Sequence, residues 1–325
     1  MTSQPERPPS PALASAPFSQ PVLPGASNAA AMGLIVAITD LSVESEQALS
    51  RAVLLAVQHR APLRFVYVAG GSSQLGPDPQ ARLMQRCRAL GRQHNLPIEP
   101  IENLGAMLKG VKAAAMGANL LVVHHSLCGK LDGFFRRSTV DQLLHDSGCP
   151  VLVVKNPATE PYRSSLIALD LKAGSAQLLQ RGLIAGSQTR VSVFHALDNQ
   201  VMRAAATTPG QASARPSVDQ RRTTERQRAQ TYLRHVVDLH VPTGQPAEIF
   251  VAYGEPAREM MALQCARLVH LIVIGKRQAT FIDDVLQRST GQNVLNSASA
   301  DVLVSPLDPA ALSPSNADAQ AVKGT

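Results

Sequence analysis

One stretch occurs twice in this chain: an apolar strand, a polar loop, Arg-Ser-Thr, a short helix and a second apolar strand. The first copy reads Leu120 to Val123, the loop His124 to Arg136, Arg137-Ser138-Thr139, then Val140, Leu143 and Leu144 at helical spacing, and Val151 to Val154. The second reads Leu271 to Ile274, Gly275 to Gln287, Arg288-Ser289-Thr290, Val294 and Leu295, and Val302 to Val304. The differences 275−124, 289−138 and 302−151 all equal 151, so no insertion interrupts the unit. An unbroken duplication of a strand-helix-strand unit calls for two halves of like topology.

The unit has a chemical meaning as well. A strand that opens through a loop into a helix beginning Ser-Thr presents unpartnered backbone N–H groups, and the positive end of the helix dipole, to an anion. Ser138 and Ser289 serve equally well as ordinary helix caps. Taken alone, the motif leaves both readings open.

Upstream, Leu34 to Ile38 is a continuous β-rich apolar run, as a parallel strand covered on both faces requires. Thr39-Asp40-Leu41-Ser42 follows, then a helix with Ala48, Leu49, Ala52, Val53 and Ala56 on one side. A strand over Leu63 to Val68, a loop from Gly70 to Pro79 and a helix around Ala81 to His94 come next. A short strand near Ile98 to Glu102 and a helix of about Ala106 to Met116 lead into the first copy. The order β-α-β-α-β-α-β-α-β predicts a parallel sheet with helices on both faces.

After a Pro-bearing linker, Lys155 to Arg163, the plan recurs. Leu166 to Asp170 is a strand ending in an acid, and Ser175 follows Asp170 by five residues as Ser45 follows Asp40. Val191 to His195, a helix over about Asp219 to Leu239, Ile249 to Ala252, the Gly254-Glu255-Pro256 turn and a helix to Arg267 complete it. The expected organisation is a disordered Pro/Ala-rich segment over 1–32, domains at 33–155 and 164–306, and a disordered tail over 307–325.

The charge balance decides little. Lys+Arg exceeds Asp+Glu by 7, but Arg215, Arg221, Arg222, Arg226, Arg228 and Arg234 share one segment with Asp219 and Glu225. Only Tyr232 and Phe250 are near enough to stack on, so the segment reads as a solvated helix face and not a nucleic-acid surface. Cys87, Cys128, Cys149 and Cys265 form no Cys-x-x-Cys pair, and neither a signal peptide nor a long apolar span is present. A reduced cytoplasmic setting without a membrane partner is the expectation.

His124, His125, Cys128, His145 and Cys149 invite a metal assignment. The first three, however, fall at the C-terminal edge of the predicted sheet and the last two near the opposite edge, roughly 17 Å away. No metal is expected beyond Mg²⁺ accompanying a nucleotide. Ser126 lacks the glycines of a hydrolase elbow, and no nucleophile-base-acid set is visible, so the residues do not point to an enzyme.

Asp40-Leu41-Ser42-Val43-Glu44-Ser45-Glu46-Gln47-Ala48-Leu49, at the end of a first strand, resembles the opening motif of the universal stress protein family. The Ser138 and Ser289 units, ending in Val-Leu-Val after Cys149-Pro150 and Ala300-Asp301, resemble its closing motif. The resemblance covers about 34 to 154 and 164 to 305, and implies a tandem member. It implies two doubly wound α/β domains, each a five-stranded parallel sheet, with ATP held in one branch of the family at the strand C-termini.

That branch carries Gly, two residues, Gly, nine residues, Gly, Ser, the glycines letting backbone approach the triphosphate. Here those positions are His124, Leu127 and Arg137, and then Gly275, Gln278 and Arg288. Only Gly275 is kept, so the second half is the better candidate. Gly129 and Gly133 lie nearby but off the pattern.

By this resemblance, Asp170, Gly275, Lys276, Arg288, Ser289 and Thr290 would contact a nucleotide in the second half. Asp40, Arg137, Ser138 and Thr139 are their counterparts in the first. The acids could instead form turns, Lys276 could be a solvated lysine, and both arginines could fill the pocket they would otherwise use to clamp a phosphate. The resemblance also implies that the last strands of the halves pair within the chain as a pseudo-dimer, with homodimerisation a further step. The two cradles are expected at the same rim of the sheet.

Two functional readings follow: a stress-response protein acting by binding, with an adenine nucleotide (ATP) as ligand, or an interaction module without one. Slow nucleotide hydrolysis is a weaker third, since fold alone does not establish it.

Overall fold

In the computed structural model the described residues are 32–69, 78–101, 107–132, 139–171, 174–186, 189–197, 218–277 and 290–307. Arg137, Ser138, Arg288, Ser289 and nearly all of both terminal segments fall outside them. So does the loop expected from Gly70, except for its last two residues.

The first half runs β1 (Ile35–Thr39), α1 (Ser45–His59), β2 (Leu63–Tyr67), α2 (Pro79–His94), β3 (Ile98–Ile101), α3 (Met107–Ala114), β4 (Leu120–His124), α4 (His125–Asp132), α5 (Thr139–Ser147) and β5 (Val151–Val154). The second runs β6 (Ser164–Ala168), α6 (Ser175–Ala185), β7 (Arg190–Leu197), α7 (Val218–His240), β8 (Ala247–Tyr253), α8 (Pro256–Arg267), β9 (Leu271–Arg277), α9 (Thr290–Ser297) and β10 (Asp301–Leu307).

The strands form one sheet in the order β3-β2-β1-β4-β5-β10-β9-β6-β7-β8. Pairing is parallel within each half and antiparallel where β5 meets β10. The repeat is visible in the register: Leu121 pairs with Val151 in the first half and Ile272 with Val302 in the second, each shifted by 151.

The seam is centred on equivalent residues. Leu303 faces Leu152, flanked by Val302 opposite Val153 and Val304 opposite Val151. All six are at most 3% exposed. Each half thus covers the apolar edge that would otherwise recruit another chain.

Helices cover both faces, as near-continuous apolar strands demand. α1, α2, α6 and α7 supply one core layer, with Leu49, Val53, Leu83, Leu178, Leu179 and Leu233 among its buried members. α3, α4, α5, α8 and α9 supply the other, with Val111, Leu127, Leu143, Met260 and Leu295.

Two departures from the sequence reading bear on function. The stretch after Val123, expected as a polar loop, is helical from His125 because Leu127 and Cys128 bury into the second layer. Leu307, assigned to the tail, instead ends β10 and is buried.

The seam has one polar keystone. Asp301 is fully buried; its Oδ1 accepts the backbone N–H groups of Lys155 (2.9 Å) and Asn156 (3.1 Å), and its Oδ2 accepts the Tyr162 hydroxyl (2.7 Å). Arg51 of α1 lies 3.4 Å from Oδ2 and stacks 4.0 Å over the Tyr162 ring. One second-half carboxylate therefore ties down the linker and a first-half helix together. Burial and the Asp301 charge hold the Tyr162 hydroxyl well above its ordinary pKa, so it stays a donor to that carboxylate.

Candidate functional site

In each half the strand order reverses between the first and fourth strands, β1/β4 and β6/β9. A doubly wound sheet leaves a crevice at the C-terminal ends of those strands, where the flanking connections diverge to opposite faces. Because β5 and β10 are antiparallel, the two crevices open at opposite rims of the continuous sheet. The expectation of a common rim is therefore incorrect: two parallel halves joined edge to edge by a two-fold must point their strand ends apart.

At the first crevice Asp40 and His124 are both buried. Asp40 is 5% exposed and its Oδ1 accepts the Ser42 N–H (3.1 Å), a turn-forming role. The Thr39 hydroxyl is 2.8 Å from that of Ser45, which donates to the Ser42 carbonyl (3.0 Å).

His124 is 7% exposed. Its Nδ1 accepts the Ser126 backbone N–H (3.2 Å) and lies 2.7 Å from the Ser126 hydroxyl, so the imidazole caps α4 as a serine or aspartate caps other helices. Burial, assisted by the neighbouring His125 charge, lowers its pKa against the opposing pull of Glu44, Asp301 and Asp40. A side chain thus stands where the nucleotide motif has glycine. Thr139 opens α5 as its sequence position implies.

The second crevice is different. Ala168, Asp170, Gly174, Ser175, Leu178, Gly275 and Leu307 line a cleft of about 270 Å³. The Ser175 hydroxyl donates to the Asp170 carbonyl and sits 3.5 Å from its Oδ1, while Gly174 turns the chain at φ +103°, a conformation that favours glycine. Asp170 and Gly275, far apart in sequence, meet here.

Gly275 has a packing reason that the sequence reading did not supply. A Cβ on it would lie 2.7 Å from Leu307 Cδ1 and 3.1 Å from Leu178 Cδ2. The other candidates divide. Strand alternation turns Lys276 to the opposite face of the sheet from Gly275, and Thr290 begins α9 on that same opposite face.

Sequence reasoning missed Leu307 and Asp301. The available signal was loss of repetition, since their first-half counterparts at a spacing of 151 are Asn156 and Pro150. A larger hollow of about 520 Å³, lined in part by Arg51, Tyr162 and Asp301, lies against the linker, away from the Asp170 crevice. Among the described residues no group of three or more His, Cys, Asp or Glu is placed to hold a metal ion. No helix of the described residues is long and apolar enough to cross a membrane.

No curated protein matches the sequence. The fold is similar to that of a universal stress protein from Archaeoglobus fulgidus DSM 4304, with a TM-score of 0.55 and 15% identity, covering 85% of this chain and 97% of that one. It is also similar to a functionally unknown protein from Pseudomonas aeruginosa PAO1, with a TM-score of 0.61 and 19% identity, covering 88% and 96%. At such identities the likeness speaks for the fold alone. The model of the Universal stress protein family matches residues 161–306, the half that keeps Asp170, Gly275 and the open crevice. Residues 161–306 thus belong to the universal stress protein family, and the first half repeats their doubly wound plan.

Proposed function

We propose that this is a cytoplasmic stress-response protein that acts by binding, with an adenine nucleotide as the ligand of its second half and the first half as scaffold. The observation that carries the reading is the asymmetry of the two switch-point crevices. The second keeps a cleft between Asp170 and Gly275, whereas at the first Asp40 and the His124 side chain, which replaces the glycine, are buried. Asp170 offers a carboxylate to ribose hydroxyls, and the rim beside Gly275 offers backbone without a side chain. A ligand lying across that rim would reach Lys276 and the start of α9 at Thr290, where the helix dipole favours phosphate. Mg²⁺ would accompany the phosphates. In this reading 33–155 and 164–306 are the two domains, and pairing through β5 and β10 is their permanent interface.

The test is mass spectrometry of small molecules released by denaturing the natively purified full chain, followed by titration with ATP. The reading expects an adenine nucleotide, or ATP binding that Asp170→Ala abolishes. A ligand-free protein that does not bind added ATP would sink it in favour of the interaction module.

A further inference from the structure

The Asp170 crevice is closed on one side by the chain's own last strand. Leu307 stands opposite Arg277 at the end of β10, is 5% exposed, and places its methyl groups against both glycines of the cleft. Cδ1 is 2.7 Å from a Cβ built on Gly275 and Cδ2 is 3.6 Å from one built on Gly174. Among the described residues the first half has nothing similar. β5 stops at Val154, and the residue equivalent to Leu307 is Asn156 (307−151), which turns to the Asp301 cluster.

The way this strand end is held matters. Pro306 has no N–H to give to the ladder, and the Arg181 guanidinium donates to the Ser305 hydroxyl and to the Pro306 carbonyl (2.6 Å). The strand end stays paired with β9 through Leu307 opposite Arg277 and is braced by Arg181, so clearing the cleft takes a rotation of the Leu307 side chain and not release of the strand. With Leu307 seated the cleft is about 270 Å³, just below the ~300–1,000 Å³ of sites that enclose a drug-sized ligand.

We infer that Leu307 is the residue that sets ligand size and affinity at this crevice, a seated stopper that a phosphate-bearing adenine ligand must displace. The inference rests on the nucleotide reading above. Removing a stopper seated about nine-tenths of the time raises apparent affinity roughly tenfold.

Calorimetric titration of the full chain with Mg-ATP and with adenosine tests it. Leu307→Ala should tighten ATP by that factor and adenosine by less, Leu307→Phe should weaken ATP, and adding Asp170→Ala should abolish the gain. Equal ATP affinity for Ala, Leu and Phe, still lost with Asp170→Ala, overturns the stopper while leaving the nucleotide reading in place. No ATP binding by any of the three overturns that reading, and the stopper with it. If Leu307→Ala fails to fold by circular dichroism, the Phe variant decides: weaker binding than wild type supports the stopper, and unchanged binding overturns it.

Discussion

The two halves share a plan and differ at their crevices. β4 ends at His124, which caps a helix that starts at the next residue, while β9 runs on through Gly275 to Arg277. β5 ends at Val154 and its chain turns into the linker, while β10 runs on to Leu307 and roofs Gly275. The shared plan of sheet and helices leaves the strand ends free to diverge, so one half buries an imidazole at its strand end where the other keeps a cleft.

A second asymmetry links the same elements. Arg51 and Arg181 are equivalent residues, each six beyond the serine that opens its helix. Arg51 reaches Asp301 across the seam; Arg181 reaches Ser305 and Pro306. The first-half counterpart of Asp301 is Pro150, which offers no acid, so only one of the two symmetric positions can form a buried ion pair.

The largest effect should come from breaking that inequality. Asp301→Ala leaves Arg51 as a buried charge without its carboxylate and strips acceptors from Tyr162 and the linker, which should cost ~3–5 kcal/mol in urea unfolding. Pro150→Ala, at the equivalent position, should change stability by only about 0.4–1 kcal/mol. Equal costs at the two sites would show that the seam does not depend on the Asp301 cluster.

Next is Gly275→Ala. Its new Cβ meets the ends of Leu307 and Leu178, so overpacking should cost about 1–3 kcal/mol. In a Leu307→Ala background most of that penalty should vanish, because the closest obstacle is gone; the measurement is a double-mutant cycle in thermal unfolding. Strict additivity would mean that Gly275 is required for a reason other than Leu307.

Much of the architecture was legible in the sequence. Repetition at a spacing of 151 and continuous apolar strands fix two parallel halves, and Val151 to Val154 and Val302 to Val304 mark the edges that meet. What remained hidden depends on distance in the fold. Asp301 looks like an ordinary residue at a strand start until Arg51 of the first half and Lys155 and Tyr162 of the linker converge on it. Gly275 reads as the one retained glycine of a phosphate motif because sequence shows the missing Cβ but not Leu307 occupying that space. His124 reads as a loop histidine because an imidazole capping a helix has no periodic signature.

That histidine provides the smallest and most selective prediction. With Nδ1 accepting the Ser126 N–H, only the neutral ring can cap α4, and burial sets its folded pKa below the ordinary 6.5. Between the two values the unfolded chain binds more protons, so the stability that His124 contributes is full above about 6.5 and lost as the pH falls through its folded value. Asn at this position still offers an oxygen to the helix N-terminus but does not titrate. His124→Asn should therefore flatten the acid side of a plot of Tm against pH, without removing the slope left by His59, whose pKa burial also lowers. Substituting Gly275, the equivalent residue, should leave that slope intact, since no titrating group stands there. If His124→Asn lost stability on acidification as steeply as wild type, the imidazole would not be the neutral buried cap that distinguishes the first crevice from the second.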